Sequence, residues 1–422
     1  MKILNIQARQ ILDSLGIPTL EVKLTLANGL AALSSVPSGA STGRNEAVEL
    51  RDGEKTWGGK SVLQAVKNVN EEIFSKLAGE DVTDQRKIDQ LMIDLDGTKN
   101  KQRLGANAIL GVSMAVCKAA ATFGNIPLFT YIGSLMNNQQ FITPLPLILM
   151  LEGGKHGNFV TDIQEFMIIP TENRFDSFAS TLEAGIKIFY CLQEILKEKG
   201  YSTGLGFEGA FCPQELSSNE EALQLLTQGI EKAGLIPGQD FSIALDFASS
   251  QFYQSGKYIL KSEDGKTYQP KDWTDKIASW VNDYPIFSLE DAHQEDLWQE
   301  WTDLTDQLGQ THQVVGDDLV TTNIQRIKQA IDTKAINAVL IKPNQIGTVT
   351  ETLEAITLTK QAGWPSIISH RAGETNDDFI ADLCVGTGSE QCKFGGLNRG
   401  ERIAKYNRLL EIEEQLRSSS VF

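Results

Sequence analysis

Four residues in the second half of the chain have the types and spacing for one kind of chemistry. Asp246, Glu290 and Asp317 each follow a short apolar run, and Lys342 follows another. The runs are Phe241 to Leu245, Ile286 to Leu289, Gln313 to Val315 and Ala338 to Ile341. A charged residue just past a buried parallel strand sits at the mouth of an α/β barrel or doubly wound sheet, where those folds place their chemistry. Acids converging there repel one another unless a cation lies among them. Every candidate donor is a hard oxygen, so the cation favoured is Mg²⁺. Each acid also has a plainer reading, as the cap of the next helix. Asp291 and Asp318, directly after Glu290 and Asp317, suit that or a supporting role. Lys342 has two readings as well: an ion-pair partner for the acids, or a general base whose pKa burial and nearby cations press towards neutrality.

A second set is cationic. His370 and Arg371 follow the apolar Ser366 to Ser369, and Lys393 lies in the stretch Gln391 to Phe394, which reads as the last strand. Together they suit a phosphate or carboxylate; the plainer reading is surface ion pairs of little energetic weight. His156 follows two glycines in a loop, and Gln164 with Glu165 ends the strand-like run after it. His293 and His312 have no spacing partner and receive no role. Two motifs mislead. Gly204 to Gly209 matches GxGxxG, but no strong strand precedes it and Pro213 breaks the helix that should follow. Gly59-Lys60-Ser61 resembles a P-loop ending with Glu54 where glycine is required.

These residues need parallel strands with helical crossovers. Thr322 to Thr333, between two of the runs, places Ile324, Ile327 and Ile331 on one helical face. Runs alternating with helices give an α/β fold with strand ends at 164–167, 205–208, 246, 290, 317, 342, 370 and 393, eight in all. Upstream, residues 2–36 read as a three-stranded meander: Leu20, Val22, Leu24 and Leu26 alternate with polar residues, and Asn28-Gly29 signals a hairpin. Helical patterns follow at 60–77, 83–95 and 103–122, the last rich in small residues that suit close packing. A further helix over 176–199 places Leu182, Ile186 and Phe189 on one face. Capping boxes start helices at Ser218 with Glu221 and at Thr348 with Glu351. The division expected is an N-terminal α+β capping domain over 1–133 and a C-terminal α/β barrel over 140–422.

The chain has 422 residues and a formal charge of −17, a poor match to nucleic acid, which needs a basic face. Its five cysteines are scattered without a CxxC pair, fitting a reducing compartment. No apolar run is read as reaching membrane-spanning length, and the N-terminus lacks a signal-peptide pattern. The expected location is the cytoplasm, with a secondary cell-surface or secreted pool as an additional possibility.

From end to end the chain resembles the enolase family. The matching blocks include Val36-Pro-Ser-Gly-Ala-Ser-Thr-Gly43, Leu104-Gly-Ala-Asn-Ala-Ile-Leu-Gly111, Asp162-Ile-Gln-Glu-Phe-Met167, Ser288-Leu-Glu-Asp291, Leu340-Ile-Lys-Pro-Asn-Gln-Ile-Gly-Thr348, Ser369-His-Arg371 and Glu401-Arg-Ile-Ala-Lys-Tyr-Asn407. The resemblance implies an enolase-type (β/α)8 barrel and Mg²⁺-dependent, reversible dehydration of 2-phosphoglycerate to phosphoenolpyruvate, a step of glycolysis and gluconeogenesis. It implies that Asp246, Glu290 and Asp317 bind one Mg²⁺ and that Ser41 ligates a second when substrate is present. Lys342 would remove the C2 proton. Glu208 would protonate the departing C3 hydroxyl, helped by Gln164 and Glu165. His156, His370 and Ala372 would line the site, and Arg371 and Lys393 would hold phosphate and carboxylate. A Lys or His base with one or two Mg²⁺ ions is the known arrangement of enolase-superfamily sites.

The chain departs from the family pattern near these residues. Glu152, Lys155, Phe207, Ala210, Ala372 and Phe394 stand where the family has other residues. Phe207 is expected to raise the pKa of Glu208 by desolvation. Glu411 stands where the family has an arginine that meets the glutamate matching Glu21 across a dimer, so an altered homo-oligomer interface is expected, with Arg9 able to reach Glu414. Two alternative functions follow from the departures: an enolase homologue acting on a related phosphonate or phosphate acid, or a weakly catalytic binding or surface protein.

Overall fold

The computed structural model describes residues 1–39, 43–53 and 55–419. Ser41, expected to ligate a second metal, lies outside the described residues. The N-terminal meander forms as the alternation requires: β1 (Ile3–Leu12), β2 (Pro18–Leu26) and β3 (Ala31–Ser35) pair antiparallel in that order. Leu20, Val22, Leu24 and Leu26 are fully buried, and Gly29 turns the hairpin at φ 88°. The helix Ala106–Gly124 lies on this sheet. A Cβ on Gly111 would stand 2.8 Å from the Val22 side chain, so the small residue sets the helix–sheet distance. This helix corrects one expectation. It is long and apolar enough, by length and composition, to cross a membrane, yet most of it is buried inside the protein.

Eight strands close a barrel. They are β4 (Leu145–Glu152), β5 (Glu165–Pro170), β6 (Phe241–Asp246), β10 (Ile286–Glu290), β11 (Gln313–Gly316), β12 (Ala338–Ile341), β13 (Ser366–Ser369) and β14 (Gln391–Lys393). Between β6 and β10 a small antiparallel sheet intervenes: β7 (Tyr253–Gln254), β8 (Lys257–Leu260) and β9 (Lys266–Tyr268). Two expectations change here. Residues 205–208 form no barrel strand; the eighth strand is β4, a continuous apolar run near the start of the expected barrel domain to which no strand was assigned. In addition, Glu165 starts β5 rather than ending a strand, because β5 runs antiparallel to both neighbours, β4 and β6. The segment from Gly153 to Gln164 contains no helix, so β4 and β5 are joined as a long hairpin without the helical crossover that a parallel pair needs. The remaining neighbours pair in parallel.

Alternation along the strands fills the barrel in layers. Leu147, Leu149, Met167, Ile169, Ala244, Val315, Ala338, Leu340 and Ile367 form an apolar cluster separate from the larger one under the helices. Gln313 and Gln391 exchange hydrogen bonds at 3.1 and 2.9 Å, and Gln313 also donates to Ser288 at 2.9 Å. Following the same two-residue period upward from these positions brings Glu165, Asp246, Glu290 and Lys393 to the next layer.

Two helical faces differ from the sequence reading. In the helix Phe178–Glu198, Leu182 and Phe189 are buried but Ile186 is 39% exposed, because the buried stripe runs through Phe178, Thr181, Gly185, Ile188 and Leu192. In the helix Ile324–Thr333, Ile327 and Ala330 are buried while Ile324 is exposed beside the cap. The cap is Asn323, which accepts from the amides of Gln325 and Arg326. Both caps form but neither box closes: Ser218 accepts from the Glu221 amide and Thr348 from the Glu351 amide, each at 3.1 Å, while the Glu221 carboxylate accepts from the Ser217 amide and hydroxyl and the Glu351 carboxylate from the Thr348 hydroxyl.

Leu340 tests the barrel interior. Truncation to alanine leaves a cavity in a closed layer that cannot collapse, so Leu340→Ala should lower the unfolding free energy by about 2–5 kcal/mol. Denaturant unfolding followed by circular dichroism measures this, and an unchanged midpoint would show that the layer repacks.

Candidate active site

Strand register builds the mouth of the barrel. Glu152 lies opposite Glu165, Glu165 opposite Asp246, and Asp246 opposite Glu290, a row of four acids across adjacent strands. All four are at most 4% exposed. Lys393, at the end of β14, supplies the counter-charge. Its Nζ donates to Asp246 Oδ2 at 3.0 Å and to both oxygens of Glu290 at 2.8 Å. It also lies 2.9 Å from Glu165 Oε2, a charge contact off the line of a hydrogen bond. Burial pushes Glu165 well above the usual carboxylate range, the Lys393 charge notwithstanding, and burial with the neighbouring Asp246 does the same to Glu290. Burial opposes the charge on Lys393, but Asp246, Glu165 and Glu290 outweigh it and hold the ammonium well above its ordinary value.

Asp317 turns to the other lysine. Lys342 Nζ donates to Asp317 Oδ2 at 2.5 Å, and Gln345 donates to Oδ1 at 2.8 Å. Burial works against the Lys342 charge, yet the Asp317 carboxylate wins and raises its pKa. That reverses the expected depression: with its acceptor in place, Lys342 is a protonated ion-pair partner. Asp291 takes a supporting role. At φ 44° it turns its carboxylate to accept the amides of Asp317 and Asp318 at 3.0 and 2.9 Å, fixing the turn after β11.

Glu208 comes from the loop that carries the GxGxxG match. Its Oε2 is 3.2 Å from His370 Nε2, and its Oε1 is 3.6 Å from His156 Nδ1. Arg402 donates to His370 Nδ1 at 2.7 Å, which leaves the ring proton on Nε2, facing Glu208. Burial lowers His370 to about 3, so the ring is neutral at physiological pH. Burial pushes Glu208 up, but the two rings with Arg402 behind them reverse this and hold the carboxyl well below its usual range. The expected rise caused by Phe207 does not occur. Phe207 is 42% exposed and faces the His156 ring, with centroids 6.1 Å apart.

Arg371 is buried with Glu46 of the N-terminal region, its Nη1 and Nη2 donating at 2.9 and 3.2 Å, and it also donates to Asn344 at 2.9 Å. Gln164 donates to Asp246 at 3.4 Å and accepts from Gln251 at 2.7 Å. The Ala372 carbonyl accepts from Arg402 at 2.7 Å and from Ser14 at 3.1 Å. One cleft is lined by Glu46, His156, Gln164, Glu165, Glu208, Asp246, Asp317, Lys342, His370, Arg371, Ala372 and Lys393. Glu290 sits just beneath, on Lys393. Three possible ligand atoms come within 4.8 Å of one another in two places among the described residues, His156–Glu165–Glu208 and Asp291–Asp317–Asp318. The expected triad Asp246, Glu290 and Asp317 is divided instead between the ammonium groups of Lys393 and Lys342, which stand in for cationic charge. Buried hard-oxygen donors that need such charge fit a Mg²⁺ ion.

Sequence reasoning gave no role to Glu46, Gln345 or Arg402. Arg402 had a signal, since it falls in a motif block of the last helix. Glu46 had none, because its partner Arg371 is 325 residues away. Of the six departures only Ala372 lines the cleft: Glu152 lies below it, Lys155 is exposed, Phe207 is largely exposed beside the His156 ring, Ala210 is buried in the barrel's apolar cluster, and Phe394 packs edge-on against Tyr406. His293 is structural, bonded to Tyr258 and Thr274 at 2.9 and 3.0 Å.

Comparison with known proteins agrees over the whole length. Residues 140–422 match the model of the enolase C-terminal TIM barrel domain, and residues 3–132 match the enolase N-terminal domain. The chain is 50% identical over 422 residues to Enolase 1 of Methylococcus capsulatus (strain ATCC 33009 / NCIMB 11132 / Bath), covering 100% of this chain and 99% of that protein. Neither alternative function gains support from these matches.

Lys393→Met tests the charge balance. Removing the ammonium strands three buried carboxylates, which should cost about 3–5 kcal/mol of stability in chelator-containing buffer. Added Mg²⁺ should then raise the melting temperature of the variant more than that of the parent. Equal stability of the two in chelator would show that Lys393 does not neutralise the row.

Proposed function

The chain belongs to the enolase family and interconverts 2-phosphoglycerate and phosphoenolpyruvate, and we propose that Lys342 and Glu208 carry its two proton transfers. One observation supports these roles. Lys342 and Glu208 line a single cleft but are held by different partners, Asp317 for the lysine and His156 with His370 for the acid. One group can therefore take a proton from C2 while the other gives one at C3.

Asp246, Glu290 and Asp317 would hold Mg²⁺, with Ser41 as ligand of a second ion when substrate is bound. When bound, the ions supply positive charge beside the substrate carboxylate, where negative charge builds as C2 is deprotonated. Lys342 acts as a base only once its proton is gone, so Asp317 must be engaged elsewhere at that stage. Glu208 is a carboxylate in the ligand-free cleft. It suits proton uptake in the hydration direction, and it must be protonated before it assists departure of the C3 hydroxyl. Arg371 and Lys393 would bind the phosphate and carboxylate of the substrate, Arg371 exchanging Glu46 for the anion. Gln164, Glu165, His156 and Ala372 complete the walls, and His370 sets the proton balance of Glu208.

We also propose an altered oligomer interface. Arg9 pairs with Glu21 of its own chain at 2.7 Å, and Glu411 pairs with Arg408 at 2.8 Å, so both acids expected to meet across a dimer already have counterions. The proposed cytoplasmic location is supported by five cysteines that are all unpaired.

The two half-reactions separate experimentally. With Mg²⁺ and 2-phosphoglycerate in deuterated buffer, Lys342→Ala should lose both C2 hydrogen exchange and enol formation. Glu208→Gln should keep the exchange and lose elimination by about 10²–10⁴-fold. Loss of C2 exchange in Glu208→Gln would reassign the base.

A further inference from the structure

Glu152 is a rim acid to which no role above falls. It ends β4, directly opposite Glu165, and is 1% exposed. Its Oε1 accepts two backbone amides, those of Glu208 at 3.0 Å and Ala210 at 2.9 Å. The same loop is fastened to β4 by its backbone, with the Glu152 amide on the Phe211 carbonyl at 2.9 Å and the Phe211 amide on Met150 at 3.1 Å. Gly206 passes so close that a Cβ there would lie 2.4 Å from Glu152 Oε2, so the approach requires glycine. The loop that presents Glu208 is therefore moulded around this one side chain.

The carboxyl group is used asymmetrically. Both donors meet Oε1, and Oε2 is buried with no hydrogen-bond partner. An ionised carboxylate would leave half its charge on an oxygen with no donor, a costly arrangement. A carboxylic acid places its proton on that oxygen instead. The two amides on Oε1 favour the carboxylate, but burial and the neighbouring acids outweigh them. The Glu208 and Glu165 carboxyls and the Cys212 thiol face it from neighbouring elements, and the cation near it is Arg402. That guanidinium is already committed to His370 and to the carbonyls of Arg371 and Ala372. Burial, then the Glu208 charge, push Glu152 up to about 8.

We propose that Glu152 is a positioning residue for Glu208: held as a neutral carboxylic acid, it fixes the Glu208 amide, and with it the placement of that side chain, without adding a second negative charge behind it. The inference rests on the reading of Glu208 as the proton donor at C3. Ionisation of Glu152 at alkaline pH sets a like charge behind Glu208 and weakens the arrangement, so elimination declines there.

Three proteins test this: the parent, Glu152→Ala and Glu152→Gln. Alanine removes the acceptor of both amides and lets the loop shift, so kcat should fall by about 10–100-fold with KM little changed, because misplacement by about 1 Å costs that much. C2 hydrogen exchange, which depends on Lys342, should persist in this variant. Glutamine keeps an acceptor oxygen and cannot ionise. It should restore most of the lost kcat at pH 7 and remove the decline centred near pH 8. Stability gives a readout independent of activity. The fold holds the Glu152 proton up to about pH 8, whereas the unfolded chain releases it near 4.5, so stability falls as pH rises through that window and Glu152→Gln abolishes this component. The proposal is overturned if glutamine is as impaired as alanine at pH 7, if alanine keeps the parental kcat, or if alanine loses C2 exchange together with elimination. Should the alanine variant fail to fold, the glutamine pH profile alone decides. If the parent itself shows no C2 exchange, the assignment of Lys342 fails, which is a separate outcome.

Discussion

Burial of like charge at the mouth of the barrel is the constraint on which the rest of the structure depends. The two-residue period of the strands carries Glu165, Asp246 and Glu290 into one inward-facing layer, where water cannot screen them. Such a layer is tolerable only with cationic charge in its centre. The chain provides Lys393 for the row and Lys342 for Asp317. The energetic demand that a divalent cation would meet is therefore visible in the protein's own pairing. The fold is built to hold positive charge there, and the chemistry proposed for the site uses the same demand.

The proton-handling side of the cleft follows a different rule. Glu208 rides on a loop, not a strand, so its position must be enforced by partners that the loop itself does not contain. His370 and His156 meet its side chain, Arg402 from the last helix fixes the tautomer of His370, and Glu152 holds its amide. These groups come from three separate segments, at 152–156, 370 and 402, none of them the loop that carries Glu208. The antiparallel entry of β5 serves this end, because it brings Glu165 at the start of a strand level with Asp246 at the end of one. A uniformly parallel barrel would place that residue at the opposite rim.

Among the described residues the N-terminal region brings Glu46 to the cleft, on Arg371, and backbone pairing of Ser38 with Gly373 at 2.7 and 2.9 Å ties the two regions together beside it. The site is thus shared between regions, and the buried arginine is neutral in balance before any substrate anion arrives.

By itself the sequence determined the parts whose cause is local. Alternation in Thr19 to Leu26, the Asn28-Gly29 turn, the Ser218 and Thr348 caps, and apolar runs ending in Asp246, Glu290, Asp317 and Lys342 all follow from neighbours within a few residues. Tertiary structure decided what depends on partners across the chain. The strand β4 escaped notice because a run buried on both faces has no alternation to show. Ile186 and Ile324 fell outside the buried faces because packing partners, not hydrophobicity, choose the stripe. The protonation of Lys342, Glu208 and Glu152 was set by Asp317, by two histidines and by a bare buried oxygen, respectively. Electrostatic shifts are decided by distance and desolvation, and these exist only once strands and loops from remote parts of the chain have closed on one another.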